Sequence, residues 1–327
     1  MKARTNYRDI AAAAKVCVAT VSLALRGHPS IPEATRERIR GVAERLDYRP
    51  NARVSELMGE IRRNRAVVRV SDTVALLWSD AARDEVHGYS HLAEFEQAAR
   101  QSLERHGFGL DVFYKDDTRV ERVLRARGIR GLILAPLIRL PHRHLNWDWS
   151  RFSVVIAGSG LWRPEFHRVR FNHFEEMALI LHHLRHHGKG RIALISDRQV
   201  DQRSQRAVVG GFLAHAGERT ACSVFESNGR DRVELLSWLD ESSPDFVIIG
   251  CAQAVPWVLE SKAQAKIVLT SQHLIPVWKQ FSGIRQDYAR LADTAAGQLI
   301  GQLTLHQSGP PADPIKVFIT GKWDEAH

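Results

Sequence analysis

From residue 72 to the end of this 327-residue chain, short apolar runs alternate with helical patterns, and that alternation constrains the fold more than any other feature. Residues 73–78 read as a buried strand, 92–106 as a helix closed by Gly107, 110–114 as a second strand and 119–127 as a second helix. Residues 131–135 and 152–157 continue the pattern as strands. A new cycle then opens with a helix over 174–187 and a strand over 191–195. It runs through helices at 208–215 and 233–240 and strands at 222–225, 246–249 and 266–269. A helix over 288–306 and a strand over 317–320 complete it. Strands separated by helices indicate right-handed crossovers and parallel sheets. Two successive cycles predict two doubly wound lobes with a cleft between them.

The first fifty residues follow another rule. Ile10, Ala11 and Ala14 share one helical face behind Asn6, whose side chain suits an N-cap. After a turn at 15–17 the pattern restarts with Val18, Val21 and Leu25 at i, i+3 and i+7. Two helices of this length about a tight turn form a helix-turn-helix, whose second helix enters the major groove of DNA. A third helix over 32–46 opens with Pro32 in its first turn and presents Ile39, Val42, Ala43 and Leu46 to cover the pair. Pro50 stops the helical pattern; a short helix over 52–59 and a basic linker over 60–65 follow.

Charge agrees with that division. Residues 1–65 carry fourteen Lys and Arg against seven Asp and Glu, so this fifth of the chain holds most of the net +9. A basic head on a nearly neutral body suits a polyanion, because neutralised phosphates release condensed counterions.

The remaining signals exclude classes. Cys17, Cys222 and Cys251 are scattered, with no CxxC pair, which points to a reducing compartment and a cytoplasmic, nucleoid-associated protein. No apolar run approaches the about eighteen residues of a membrane span. A nucleophile elbow, a phosphate-binding loop and a dinucleotide fingerprint are all missing, so neither catalytic residues nor a cofactor are expected. Gly210-Gly211 fall at a helix start without phosphate-loop spacing, and Asp116-Asp117 read as solvated turn residues. His182-His183 and His186-His187 make two i, i+4 pairs but lack a third ligand, so no metal site is expected.

Ala19-Thr20-Val21-Ser22, Thr35-Arg36-Glu37-Arg38 and Tyr48-Arg49-Pro50-Asn51, with Leu57 six residues on, together resemble the head of the lactose-repressor (LacI/GalR) family. The resemblance implies an effector-responsive transcriptional repressor that binds a near-palindromic operator as a homodimer. It implies a head over 1–50 and a hinge helix and linker over 51–65, the helix forming on DNA. Paired Leu57 side chains would wedge into the central minor groove. DNA contacts would come from Tyr7, Arg8, Cys17, Val18, Ala19, Thr20, Ser22, Leu23, Arg26 and Ser30, with Asn51, Val54 and Leu57 in the hinge. Two departures stand out. Cys17, a poor cap, replaces the usual Ser, and the base-reading positions Val18, Ala19 and Leu23 cannot make bidentate hydrogen bonds to a base edge. Thymine methyl contacts and DNA shape would then carry the sequence preference.

By the same resemblance, residues 66–327 form a periplasmic-binding-protein-like core that closes on a small, sugar-like effector. Lobe 1 is expected at about 72–158 plus 286–312, and lobe 2 at about 159–285 plus 313–327. Asn172, Arg203, Arg206, Gln253 and Gln272, with His273, are the candidate polar liners, and Trp162 and Trp257 the candidate stacking platforms. The pocket diverges from the family pattern. Phe171 replaces an Asp, Val208 stands at the effector-gripping arginine, and Cys251-Ala252-Gln253 replace an Asn-Asp. A core that has lost ligand binding is therefore the alternative. A free solute-binding protein, the other class, would need an export signal and has no use for a basic head.

Overall fold

The computed structural model describes residues 7–25, 31–46, 72–138, 145–160, 162–186, 190–216, 222–274 and 280–326. In the head, α1 (Tyr7–Ala14), α2 (Val18–Leu25) and α3 (Glu33–Arg45) pack on one another. Ile10, Val21, Ala24 and Ile39 are buried at their centre, with Ala11, Ala14, Val42 and Ala43 around them. Pro32 stands just before α3 as its N-cap, with φ −56° in the helical range but an extended ψ of 145°, so the helix begins at Glu33. Arg38 reaches back across the bundle and donates from Nη1 to Ala14 O at 2.7 Å, satisfying a carbonyl at the end of α1.

The body opens with β1 (Thr73–Trp78), α4 (Arg83–His87), α5 (Ser90–Arg105), β2 (Gly109–Tyr114), α6 (Val120–Ala126), β3 (Gly131–Leu134), β4 (Ser153–Ala157) and β5 (His167–Phe171). It continues with α7 (His173–His186), β6 (Ile192–Asp197), α8 (Arg198–Arg203), α9 (Ala207–Ala216), β7 (Cys222–Ser227), α10 (Arg232–Ser242), β8 (Phe246–Ile249), α11 (Ala254–Glu260) and β9 (Lys266–Leu269). The chain closes with β10 (Ser282–Arg285), α12 (Tyr288–Thr304), β11 (Lys316–Ile319) and β12 (Lys322–Asp324).

Two sheets of six strands result, ordered β11-β5-β4-β3-β1-β2 and β12-β10-β9-β8-β6-β7. All pairings are parallel except β10 with β12. Helices cover both faces, so the central strands are apolar on both sides, as β1, β3 and β8 show. In the first sheet Val74, Leu76 and Trp78 pack towards Phe95, Leu103 and Leu299, while Ala75 and Leu77 pack towards Leu124 and Phe152. In the second, α7 and α9 lie together over Ile192, Leu194 and Ile248. Gly211 permits that approach, because a Cβ there would sit 3.0 Å from Phe174 O and 3.1 Å from Met177 Cβ.

The expected lobe boundaries need correction. The chain changes sheet between β5 and α7, between β10 and α12, and between β11 and β12. Residues 167–171 and 316–319 therefore belong to the first lobe rather than the second. Arg168 and Arg170 hide β5 from a hydrophobicity reading; its pairing with β4 and β11 makes it a strand. Strand order reverses between β1 and β3 and between β6 and β8. In open parallel sheets these switch points leave crevices at the carboxyl ends of the strands, where ligands bind.

Candidate functional site

Two regions carry function: the turn and second helix of the head, and the junction of the lobes. Lys15 sets the turn with a left-handed backbone at φ 52°. Cys17 follows, exposed, and its sulfur accepts the Thr20 backbone N–H at 3.4 Å while lying 3.0 Å from Thr20 Oγ1. A thiol thus does what a Ser oxygen commonly does at an N-cap, which corrects the expectation of a poor cap. Val21 and Ala24 turn into the core, whereas Thr20 and Leu23 stay half-buried at the surface of α2. Tyr7 and Arg8 lie on α1, and Val18, Ala19 and Ser22 on α2. Arg26, Ser30, Asn51, Val54 and Leu57 lie outside the described residues, and so does the expected hinge helix.

At the lobe junction, loops from the carboxyl ends of both sheets meet. Arg203, at the end of α8, donates from Nη1 to Leu137 O, beyond β3 of the other lobe, at 2.9 Å. Burial lowers the pKa of its guanidinium, while Asp197, Asp80 and Tyr288 work the other way. Asp80, just after β1, also accepts Ile138 N at 2.7 Å. Close by, His91 of α5 lies 4.9 Å ring to ring from His273 and 4.7 Å from Tyr288. Tyr288 packs against Phe171 at 5.1 Å. Burial, then His273, push the His91 imidazole down to about 4, so it is neutral near pH 7. Burial and Glu176 raise Tyr288 well above its usual range against the pull of Arg203, so its hydroxyl stays protonated.

His273 Nε2 and Gln286 O are 2.9 Å apart, and Ser271 Oγ donates to Gln286 Oε1 at 3.2 Å. Gln286 Nε2 in turn donates to Glu176 Oε2 at 2.9 Å. That carboxylate, 2% exposed, lies 3.0 Å from His173 Nδ1 and accepts Gly321 N at 3.1 Å. One buried acid therefore ties together all three crossings between the lobes. Beside His273, Gln272 is 0% exposed, and neither of its amide atoms has a hydrogen-bond partner. A ligand hydroxyl or an ordered water would satisfy it.

Residues 6–51 match the family described as bacterial regulatory proteins, lacI family. Over 257 residues the chain is 26% identical to the HTH-type transcriptional regulator PtxS of Pseudomonas aeruginosa, covering 74% of this chain and 69% of that one. Its fold is that of the transcriptional regulator CelR–cellobiose complex, with TM-score 0.56, 17% identity, and coverage of 99% of this chain and 100% of that one. The lac repressor dimer bound to operator and the anti-inducer ONPF aligns with TM-score 0.51 and 17% identity over 98% of each chain. The chain is a DNA-binding transcriptional regulator with a lacI-family helix-turn-helix head at residues 6–51 and a two-lobed α/β core of parallel sheets.

Within this two-lobed core the expected effector residues separate. Arg203, Gln272 and His273 meet at the lobe junction, and Asn172 sits at the first crossing, where Asn172 Oδ1 accepts Glu175 N at 3.4 Å. Gln253 lies in the loop after β8, with Cys251 Sγ 3.3 Å from its Oε1. Arg206 does not join them. It pairs with Asp201 and Glu226 at the surface of the second lobe, the opposite charges holding the guanidinium there. Trp162, 4% exposed, is packed in the first-lobe core, which corrects its reading as a platform. Trp257 packs against the second-lobe core. Val208, at the expected arginine position, is buried under α7. His91, Asp80, Glu176, Gln286 and Tyr288 were missed, because they gather only when three crossings converge. Among the described residues no group of three metal-ligating side chains occurs, and no helix is long and apolar enough to cross a membrane.

Proposed function

We propose that this regulator is an effector-responsive repressor that binds a near-palindromic operator as a homodimer in the cytoplasm, without catalysing a reaction. The observation that carries the reading is the junction of the lobes. They meet through Arg203 to Leu137 and through the His91, His273 and Tyr288 rings, contacts that a small molecule can displace. A lac repressor dimer was solved with operator and anti-inducer, and CelR with cellobiose, which supports the same logic for this chain. In the head, Cys17, Val18, Ala19, Thr20, Ser22 and Leu23 would face the major groove, with Tyr7, Arg8, Arg26 and Ser30 on phosphates. Asn51, Val54 and Leu57 would supply the hinge.

In the cleft, Arg203, Gln272, Gln253 and Asn172 would hold a sugar-like effector against the His91 and Tyr288 rings. Effector binding changes DNA affinity by no more than its preference for one lobe arrangement over the other.

Selection of genomic fragments by the full-length protein, followed by footprinting with and without a carbohydrate panel, tests this. A protected inverted repeat whose occupancy falls with one carbohydrate is the expected result. Binding that depends on salt but enriches no sequence would overturn the operator reading. A protected repeat that ignores every carbohydrate would leave the core as a dimerisation body without an effector.

A further inference from the structure

Arg168 and Arg170 project from the same face of β5 and are 3% and 7% exposed. Guanidiniums this deeply buried are normally paired with carboxylates, since an uncompensated buried charge is costly. Here every hydrogen-bond acceptor is neutral. Arg168 Nη1 donates to Gly158 O at 3.0 Å. Arg170 donates from Nη2 to Ser204 O at 3.2 Å and from Nη1 to Gln205 Oε1 at 3.3 Å, and its Nε has no acceptor. Glu165 acts on Arg168 from a distance but is held by Lys316 Nζ at 3.1 Å. Burial and the charge of Arg170 bring Arg168 down to about 10, and burial alone lowers Arg170.

The rim of this pair has the character of a clamp. Gln205 and Arg206 are consecutive non-glycine residues in the left-handed region, at φ 62° and 64°. Such backbone is strained and concentrates at ligand clamps and switches. Gln205 is itself exposed, and Phe318, whose ring lies 5.2 Å from the Arg170 guanidinium carbon, is half-exposed. The exposed amide of Gln205 thus caps the buried Arg170 guanidinium, with Arg168 two residues away on the same strand face.

We propose that Arg168 and Arg170 form an oxyanion site at the lobe junction, taking a phosphate or carboxylate oxygen in the place now held by the Gln205 amide. Arg170 belongs to the first sheet, and the Ser204–Arg206 loop to the second lobe. A bound oxyanion therefore replaces one of the hydrogen bonds that now join the two lobes. The site is separate from the His91, His273 and Tyr288 cluster, since the side chains of residues 168 and 170 lie on the opposite face of β5 from Phe171.

Calorimetric titration of the full-length protein with inorganic phosphate at constant ionic strength tests the site. Gluconate and glucose 6-phosphate serve as arms that tell a carboxylate from a phosphoryl group. Saturable phosphate binding is expected, weakened at least about tenfold by Arg170→Gln, which removes the bidentate cation. Gln205→Gly removes the competing amide and relieves the left-handed backbone, so it is expected to tighten binding several-fold. Absence of saturable binding by any arm up to roughly 10 mM would overturn the proposal. Binding that Arg170→Gln leaves intact would place the anion elsewhere, the basic head included, and would overturn it equally. Should Arg170→Gln fail to fold, unchanged affinity in Gln205→Gly decides against the site.

Discussion

Cys17 starts the second helix of the head on a sulfur atom, and its contacts with Thr20 give that choice a measurable cost. Truncating a capping side chain to Ala costs about 0.5–2 kcal/mol. Cys17→Ala is therefore expected to speed amide exchange at Thr20 and Val21 by about fivefold for each kcal/mol lost. Cys17→Ser keeps an acceptor and is expected to preserve protection; equal exchange in all three proteins would show that the sulfur caps nothing. His91 is the second residue with a clear consequence. Its imidazole sits at about 4 in the folded chain, facing His273 and Tyr288, while Arg203 and Glu176 act on Tyr288. Unfolded, it returns to about 6.5. Between these values the unfolded chain binds more protons, so the contribution of His91 is fully present above about pH 6.5 and declines as pH falls towards 4. Urea midpoints measured from pH 7.5 to 4.5 are expected to fall less steeply in His91→Gln than in the parent protein. Parallel profiles would mean that His91 is not held neutral.

At the scale of elements, the three crossings depend on a single acid. Glu176, at the first turn of α7, satisfies Gln286 beyond β10 and Gly321 between β11 and β12, and it contacts His173. Its removal strands buried donors, each costing about 1–3 kcal/mol. Glu176→Ala is expected to lower unfolding free energy by about 3 kcal/mol or more, read from urea denaturation. Glu176→Gln keeps an acceptor and loses less; equal losses would mean that the contacts are incidental to the crossings. Packing between α7 and α9 rests on Phe212, which is fully buried against the second-lobe core. Phe212→Ala is expected to cost about 3–5 kcal/mol, with the loss appearing in the body and not in the head.

Across the whole molecule, the head has a core of its own, sharing no residue with the cores of the two lobes. That core is small and rich in Ala, and domains near this size are marginal. Calorimetry of the full chain is expected to show a weak transition for the head below that of the body. Ile39→Val, costing about 0.5–1.5 kcal/mol, is expected to lower only the first. A single transition shifted as a whole would mean that the head is coupled energetically to the lobes.

The sequence by itself determined the elements whose signal is local. Apolar spacing at Ile10, Ala14, Val21, Ile39 and Val42 placed the head helices and the residues that bury them, because a helix repeats its inward face every three to four residues. The continuous apolar runs of β1, β3, β4 and β8 were equally plain, since a strand covered on both faces has nothing polar to show. Tertiary structure decided what depends on distant partners. β5 carries two arginines and becomes a strand only by pairing with β4 and β11; three-residue β12 exists only against β10. The crossings at 172 and 320, the burial of Trp162 and the gathering of His91, His273, Gln286 and Tyr288 have the same origin. They are set by which surfaces the closing chain brings together, and no short window of residues contains that information.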